Sequence, residues 1–186
     1  MSLTRIVDLL LAVVGVVITL PIMLIIMILA FFDTGKPFFL QERVGKYKRP
    51  FTLIKFRTMA LNTESVATHL AATSSVTPLG KFLRRTKLDE LPQLFNVLLG
   101  QMSLVGPRPC LFNQDELIHH REIRGVYKVI PGITGLAQIN DVDMSTPKKL
   151  SKYDQLMLKN MDISHYFFYI FSTFIGRGQG DRVKLS

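Results

Sequence analysis

Leu9 to Phe32 reads LLLAVVGVVITLPIMLIIMILAFF, twenty-four residues without a charge. As a helix rising about 1.5 Å per residue it covers about 36 Å, enough to cross a hydrocarbon core of about 30 Å with some tilt. The stretch is therefore read as a membrane anchor, and it explains a mean hydropathy of +0.26 over 186 residues. A cleaved leader fits poorly, because the run is longer than a leader's apolar region and its exit, Phe31-Phe32-Asp33-Thr34-Gly35, lacks a small-x-small site. Pro21 removes the amide that would bond the carbonyl of Val17, so a kink is expected there, with the Thr19 hydroxyl available to bond an earlier carbonyl. Two topologies stay open. Transmembrane helices tolerate proline, which allows a span. Arg5 before the run and a basic stretch after it both prefer the cytoplasmic side, which instead favours a re-entrant helix that enters one leaflet and returns.

Outward from the anchor, the charge is uneven. Residues 36–87 carry eleven Lys/Arg against Glu42 and Glu64, which accounts for the whole net charge of +9; the rest of the chain nets zero. At 48% hydrophobic the chain is too apolar for disorder, and Cys110, the only cysteine, excludes an internal disulfide scaffold. The length suits one ordinary domain. Residues 1–35 are read as the anchor, 36–175 as a single domain and 176–186 as a polar tail.

Within that domain the pattern predicts a mainly α fold with a small β-hairpin (α+β). Pro37 to Gln41 and Phe51 to Phe56 are short apolar runs around a polar turn, Arg43 to Arg49. Asn62 to Thr73 is read as a helix in preference to a mobile loop. Thr77-Pro78 caps a basic helix running through Arg85, and Asp89 starts another, with Leu91, Leu94, Phe95, Leu98 and Leu99 as its apolar face and Gly100 as its end. Gly106-Pro107-Arg108-Pro109 predicts a rigid extended loop, Asn113 to Arg124 a helix, and Pro131 to Gly135 a turn. Thr146-Pro147 opens a helix to about Asn160. Asp162 caps the last helix, whose stripe of Ile163, Phe167, Ile170, Phe171 and Phe174 suits either a core or a membrane interface.

For chemistry, the histidines His69, His119, His120 and His165 lack zinc-site spacing, and neither a phosphate-binding glycine loop nor a serine elbow is present. Asp89-Glu90 remains, directly after Lys81, Arg84, Arg85 and Lys87. These acids are read either as helix caps or as a nucleophile or magnesium ligand acting on a phosphorylated substrate. Arg108, fixed between prolines, is either an exposed loop charge or a phosphate clamp, and Lys55 and Arg57 are either the solvated face of a strand or part of the same site.

Five motifs in order carry a resemblance: Pro37-Phe38-Phe39 through Gln41-Glu42-Arg43-Val44-Gly45; Lys55-Phe56-Arg57-Thr58-Met59; Leu88-Asp89-Glu90-Leu91-Pro92-Gln93-Leu94; Met102-Ser103-Leu104-Val105-Gly106-Pro107-Arg108-Pro109; and Pro131-Gly132-Ile133-Thr134-Gly135. From Arg5 to about Asn160 the chain resembles the monotopic phosphoglycosyl transferases, bacterial sugar transferases that start glycan assembly on polyprenyl phosphate. The resemblance implies a re-entrant membrane helix, broken at Pro21, and a catalytic domain resting on interfacial amphipathic helices at the cytoplasmic face of the bacterial inner membrane. It implies transfer of a phosphosugar from a UDP-sugar, an N-acetylated amino or diamino sugar by analogy, to undecaprenyl phosphate, with release of UMP and a requirement for Mg²⁺. Asp89 falls on the family's nucleophile and, with it, its magnesium site; Glu90 completes the dyad. Lys55, Arg84 and Arg108 fall on phosphate-binding positions, and Arg57 is assigned there by proximity. Membrane lipids and downstream glycosyltransferases are the implied partners; nucleic acid is not.

The chain departs from the family pattern at Leu20-Pro21, where Ser-Pro is common, at Leu136, where tryptophan is usual, and at Asn140-Asp141-Val142-Asp143, in place of Asn-Gly-Arg. None touches the dyad: the first bears on the kink, where Thr19 stands in for the serine, and the other two bear on sugar recognition. A different class of function, a membrane-tethered basic module that binds anionic lipid or nucleic acid without catalysis, explains the charge but not the company of Asp89-Glu90 and Pro107-Arg108-Pro109.

Overall fold

The computed structural model describes residues 3–61 and 75–176. The helix expected over Asn62 to Thr73, His69 within it, and all of the expected tail except Gly176 lie outside them. Helix α1 (Leu3–Thr34) is continuous, with Pro21 inside it. Thr19 does return a hydrogen bond, from Oγ1 to the Gly15 carbonyl at 2.7 Å, rather than to that of Val17. One stripe of α1 is buried, at Asp8, Ala12, Met23, Ile26 and Ala30, and the opposite face leaves Val17, Ile18 and Phe32 at 67, 71 and 82% exposure.

The predicted hairpin forms from β1 (Phe38–Val44) and β2 (Pro50–Phe56), antiparallel, pairing Phe38 with Phe56 and Val44 with Pro50. Alternation along β2 buries Phe51, Leu53 and Lys55. Ala12 packs with Phe51 and Leu53; farther along α1, Met23 and Ile26 pack with Phe56 and with Leu83 of helix α2 (Pro78–Thr86). Thr77 caps α2 as expected, its hydroxyl accepting from Gly80 N at 2.9 Å.

Three expectations need correction between Asp89 and Gly135. Asp89 does not begin a helix: Leu88–Glu90 is a single 3-10 turn, and helix α3 (Gln93–Leu98) starts only after Pro92, whose ring nitrogen has no hydrogen to donate to the preceding turn. The buried face of α3 is Gln93, Asn96 and Val97, while Phe95 and Leu99 of the predicted apolar face are exposed. Asn96 explains the rotation. Its amide accepts from Ile54 N (3.0 Å) and donates to Thr52 O (2.7 Å), satisfying the free edge of β2 in place of a third strand. Finally, the expected turn at Pro131 to Gly135 contains a strand, β4 (Gly132–Thr134), paired in parallel with β3 (Ser103–Val105). A Cβ on Gly132 would lie 2.0 Å from Gly106 N, so glycine serves here to let two backbones touch.

Helices α4 (Asp115–Glu122), α5 (Leu136–Ile139) and α6 (Pro147–Lys159) enclose a second core around Val44, Leu117, Ala137 and Leu150. Thr146 precedes α6 without a side-chain capping bond, its hydroxyl donating instead to Asp143 O. Helix α7 (Ile163–Phe174) is capped by Asp162, which accepts from His165 N at 2.7 Å. Tyr166, Tyr169 and Ser172 face inward; of the aromatic stripe Ile170 packs against the core, while Ile163, Phe167, Phe171 and Phe174 are exposed, so the core reading holds for Ile170 alone.

A buried polar knot ties α1 to this domain. Asp8 Oδ1 accepts from Leu104 N (2.8 Å), Ser103 Oγ (3.0 Å) and Tyr166 Oη (2.6 Å), while Arg5 donates to Val97 O and Met102 O. Burial, reinforced by the hydrogen bond to Asp8 and its charge, pushes the Tyr166 phenol well above its ordinary value.

Candidate active site

The α2 helix ends at Lys87, which adopts left-handed backbone angles (φ 58°, ψ 15°), uncommon for a side chain other than glycine, asparagine or aspartate. This sharp reversal lets the Lys87 carbonyl accept from Glu90 N at 3.2 Å and closes the 3-10 turn that carries Asp89 and Glu90. Leu88 and Leu91, on either side of the acids, pack into the cluster formed by Met23 and Ile26 of α1. The apolar pair thus plants the turn on α1. Neither acid is the N-cap of α3, a position held by Pro92.

Asp89 is buried, at 7% exposure. Glu90 Oε1 accepts from Arg108 Nη2 at 2.6 Å, an ion pair whose side chains are 15 and 21% exposed. The Pro107-Arg108-Pro109 loop is therefore brought to the dyad, and Arg108 is not a free loop charge. Arg84 donates from Nε to Thr58 Oγ1 at 2.9 Å, and its Nη1, shielded from solvent, has no acceptor among the described residues. A buried donor in that condition calls for an acceptor from outside the described residues. Lys55 is 8% exposed, so it does not belong to a solvated face; its ammonium lies 5.4 Å from the centre of the Phe39 ring. The Arg57 guanidinium lies at 5.4 Å from the same ring but donates to Lys36 O and Phe38 O, closing the open end of the hairpin. Pro21 lies on α1 between the Ala12 and Met23 contacts.

Several site residues were not singled out from sequence. Lys87 is half-buried, and burial lowers its pKa; Glu90 opposes this, Arg108 adds to it and Asp141 opposes it, which places all four charges in one neighbourhood. Thr58 positions Arg84. Arg121 of α4 and Asp154 of α6 form an ion pair buried to 1% exposure each, Nε and Nη2 lying 2.9 and 2.8 Å from Oδ2. Burial raises the Asp154 carboxyl and the facing guanidinium opposes that; for Arg121 burial works against the charge, and Asp154 together with Cys110 and Tyr127 more than offsets it. The local motif at Lys-Phe-Arg-Thr-Met contained the Thr58 signal; nothing in a helical pattern separates Arg121 or Asp154 from the other charges around it.

A magnesium ion suits this donor set in one way. The described residues hold no cluster of three or more potential ligands, but Mg²⁺ commonly takes one or two carboxylates plus substrate phosphate oxygens. Asp89, with Glu90 beside it, supplies that number.

A long apolar helix packed on a small α+β domain, with a carboxylate pair set among arginines and lysines, defines a helix-anchored protein with a site suited to anionic substrates. The chain belongs to the bacterial sugar transferase family, whose sequence model matches residues 1–178. It is 42% identical over 158 residues to a UDP-glucose:undecaprenyl-phosphate glucose-1-phosphate transferase of Klebsiella pneumoniae, covering 77% of this chain and 34% of that protein. An undecaprenyl-phosphate galactose phosphotransferase of Salmonella typhimurium is 34% identical over 192 residues (92% of this chain, 39% of that one). A UDP-N-acetylgalactosamine-undecaprenyl-phosphate N-acetylgalactosaminephosphotransferase of Aeromonas hydrophila is 36% identical over 176 residues (89% and 41%). The chain thus spans about two fifths or less of the length of these relatives.

Proposed function

We propose that the chain transfers a phosphosugar from a UDP-sugar to undecaprenyl phosphate and releases UMP, the first membrane step of a bacterial glycan pathway. The observation that carries this reading is a buried Asp89 next to a Glu90–Arg108 ion pair, with an Arg84 donor that has no acceptor among the described residues. The relatives' names support the substrate classes. For the sugar, the Aeromonas relative's name agrees with an N-acetylated amino sugar, whereas the Klebsiella and Salmonella relatives are named for glucose and galactose.

In the first step an Asp89 oxygen attacks the phosphorus that bears the sugar. The bond from that phosphorus to the bridging oxygen breaks, and UMP leaves with the oxygen. In the second step a phosphate oxygen of undecaprenyl phosphate attacks the same phosphorus, and the bond to Asp89 breaks. A carboxylate approaching a diphosphate meets like-charge repulsion of about 4 kcal/mol per pair at 4 Å and an effective dielectric of 20. Arg108, Arg84 and Lys55 offset it by binding phosphate oxygens, and Glu90 holds the Arg108 fork in one orientation. When bound at Asp89, Mg²⁺ supplies further neutralisation of the diphosphate. The covalent intermediate gives ping-pong kinetics.

The re-entrant topology belongs to the same proposal. Arg5 and Asp8 near one end of α1, and Met23 and Ile26 in its second half, all contact the one domain. Contacts at both ends favour a helix that returns to the leaflet it entered, with the exposed faces of α1 and α7 in lipid at the cytoplasmic surface of the inner membrane. Detergent-solubilised protein with Mg²⁺, undecaprenyl phosphate and UDP-glucose, UDP-galactose or UDP-N-acetylated amino sugars is expected to release UMP, and Asp89→Asn to release none. Undiminished release by Asp89→Asn would refute the nucleophile. A cysteine at position 2 is expected to be labelled only from the cytoplasmic side; periplasmic labelling would establish a span.

A further inference from the structure

The Gly106–Cys110 segment has an unusual hydrogen-bond ledger. Two of its five residues are prolines without an N–H, yet all five carbonyls are capped from outside the segment. Gly106 O accepts from Gln138 Nε2 (3.2 Å), Pro107 O from Gly132 N (2.9 Å), Arg108 O from Arg121 Nη1 (2.8 Å), Pro109 O from Arg43 Nη1 (3.1 Å) and Cys110 O from Val44 N (2.9 Å). Two of these donors are guanidinium groups at 1 and 5% exposure. Burying a guanidinium is costly unless it is paired, and Arg121 is paired through Nε and Nη2 with Asp154. That leaves Nη1 turned toward one carbonyl, that of Arg108, whose own side chain holds Glu90 at 2.6 Å.

We infer that Arg121 and Asp154 are a positioning pair for the transfer reaction, fixing the backbone of Arg108 so that its guanidinium meets both Glu90 and the transferring phosphate in one geometry. The inference rests on the reading of Arg108 as a phosphate-binding residue. Neither member of the pair touches substrate. Guanidinium is required because three nitrogens in one plane serve two acceptors in different directions, whereas lysine offers one nitrogen. A fold-stabilising ion pair alone would not need the bond from Nη1 to the Arg108 carbonyl.

The test separates packing from positioning. Arg121→Met combined with Asp154→Leu replaces the buried ions by apolar groups, a change that commonly preserves or raises stability, while the Arg108 carbonyl loses its donor. With Mg²⁺, undecaprenyl phosphate and whichever of UDP-glucose, UDP-galactose and UDP-N-acetylgalactosamine the parent turns over, kcat is expected to fall roughly 10²-fold, the loss that about 1 Å of misplacement brings, with KM changed far less. Arg108→Ala is expected to lose at least as much. Adding the Arg121/Asp154 changes to Arg108→Ala should cost less than about threefold more, because both act through one group. A folded pair variant with parental kcat, or losses that multiply, would overturn the inference while leaving the Arg108 assignment intact. Parental kcat in Arg108→Ala alone would instead overturn the site reading beneath it. If the pair variant does not fold, Arg121→Lys, which keeps a cation against Asp154 but cannot bridge to both acceptors, carries the same comparison.

Discussion

Replacing Tyr166 by phenylalanine tests how α1 is fastened. The change removes a single oxygen, which donates to Asp8 Oδ1 at 2.6 Å, and creates no cavity beyond that atom. Both side chains are nearly sealed, at 1 and 3% exposure, so water does not readily replace the lost bond. A hydrogen bond to a charged acceptor contributes about 1.5–3 kcal/mol. Asp8 keeps Leu104 N and Ser103 Oγ, with Arg5 at 3.7 Å from its other oxygen, so the loss belongs to the one bond rather than to collapse of the knot. For a chain of this size about 1 kcal/mol shifts Tm by about 2–4 °C, which gives an expected decrease of about 3–12 °C. Thermal unfolding in detergent, followed by circular dichroism, reads it directly. Asp8→Asn and the double variant complete a cycle in which the coupling between the two positions should be at least about 1 kcal/mol. A Tm within 1 °C of the parent, or zero coupling, would show that the anchor's first turns are not held by this contact.

Gly132→Ala would place a methyl 2.0 Å from Gly106 N and 2.5 Å from its Cα; neither backbone can yield without opening β3–β4, so little folded protein is expected on size-exclusion chromatography. Stability should also decline above about pH 10. The raised pKa of Tyr166 leaves its contribution intact below the unfolded tyrosine value, and that contribution is lost as the unfolded phenol ionises first. The decline should be shallower in Tyr166→Phe, and equal slopes in alkaline melts would contradict the assignment. Thr58→Val removes the acceptor of Arg84 Nε while keeping its shape; UMP release is expected to fall about tenfold in kcat/KM without a comparable change in Tm, and an unchanged rate would remove Arg84 from the site.

Local chemistry made much of this architecture readable in advance. The hairpin followed from two short apolar runs around a polar turn, and the starts of α2 and α7 from Thr77 and Asp162, because caps and turns are decided by neighbouring residues. What escaped depends on partners distant in the chain. Gly106 and Gly132 carry the usual mark of turns, but here they permit backbone contact between strands of three residues each, too short to show a period. The stripe on α7 announced an apolar face without saying whether protein or lipid would cover it; the tyrosines, not the phenylalanines, face the core. On α3 an asparagine fills the buried face because β2 has an edge to satisfy, a need invisible from residues 91–99 alone. Of the site, Asp89, Glu90 and Arg108 could be named because they lie in dense motifs, whereas Arg121 and Asp154 resemble any other charges on amphipathic helices until α4 and α6 are packed together.

The seating of Leu88 and Leu91 on Met23 and Ile26 bears on modularity. An anchor that merely tethers can be exchanged for another hydrophobic segment or removed to make a soluble form. Here α1 is the floor under the Asp89-Glu90 turn and a wall for Phe51, Leu53 and Val97. A foreign span would deliver the domain to the bilayer yet leave that floor unbuilt, and a version starting at residue 36 would face water with the surfaces that α1 now covers. For protein engineering, the useful unit is the chain with its own apolar helix, which should be treated as part of the domain's core.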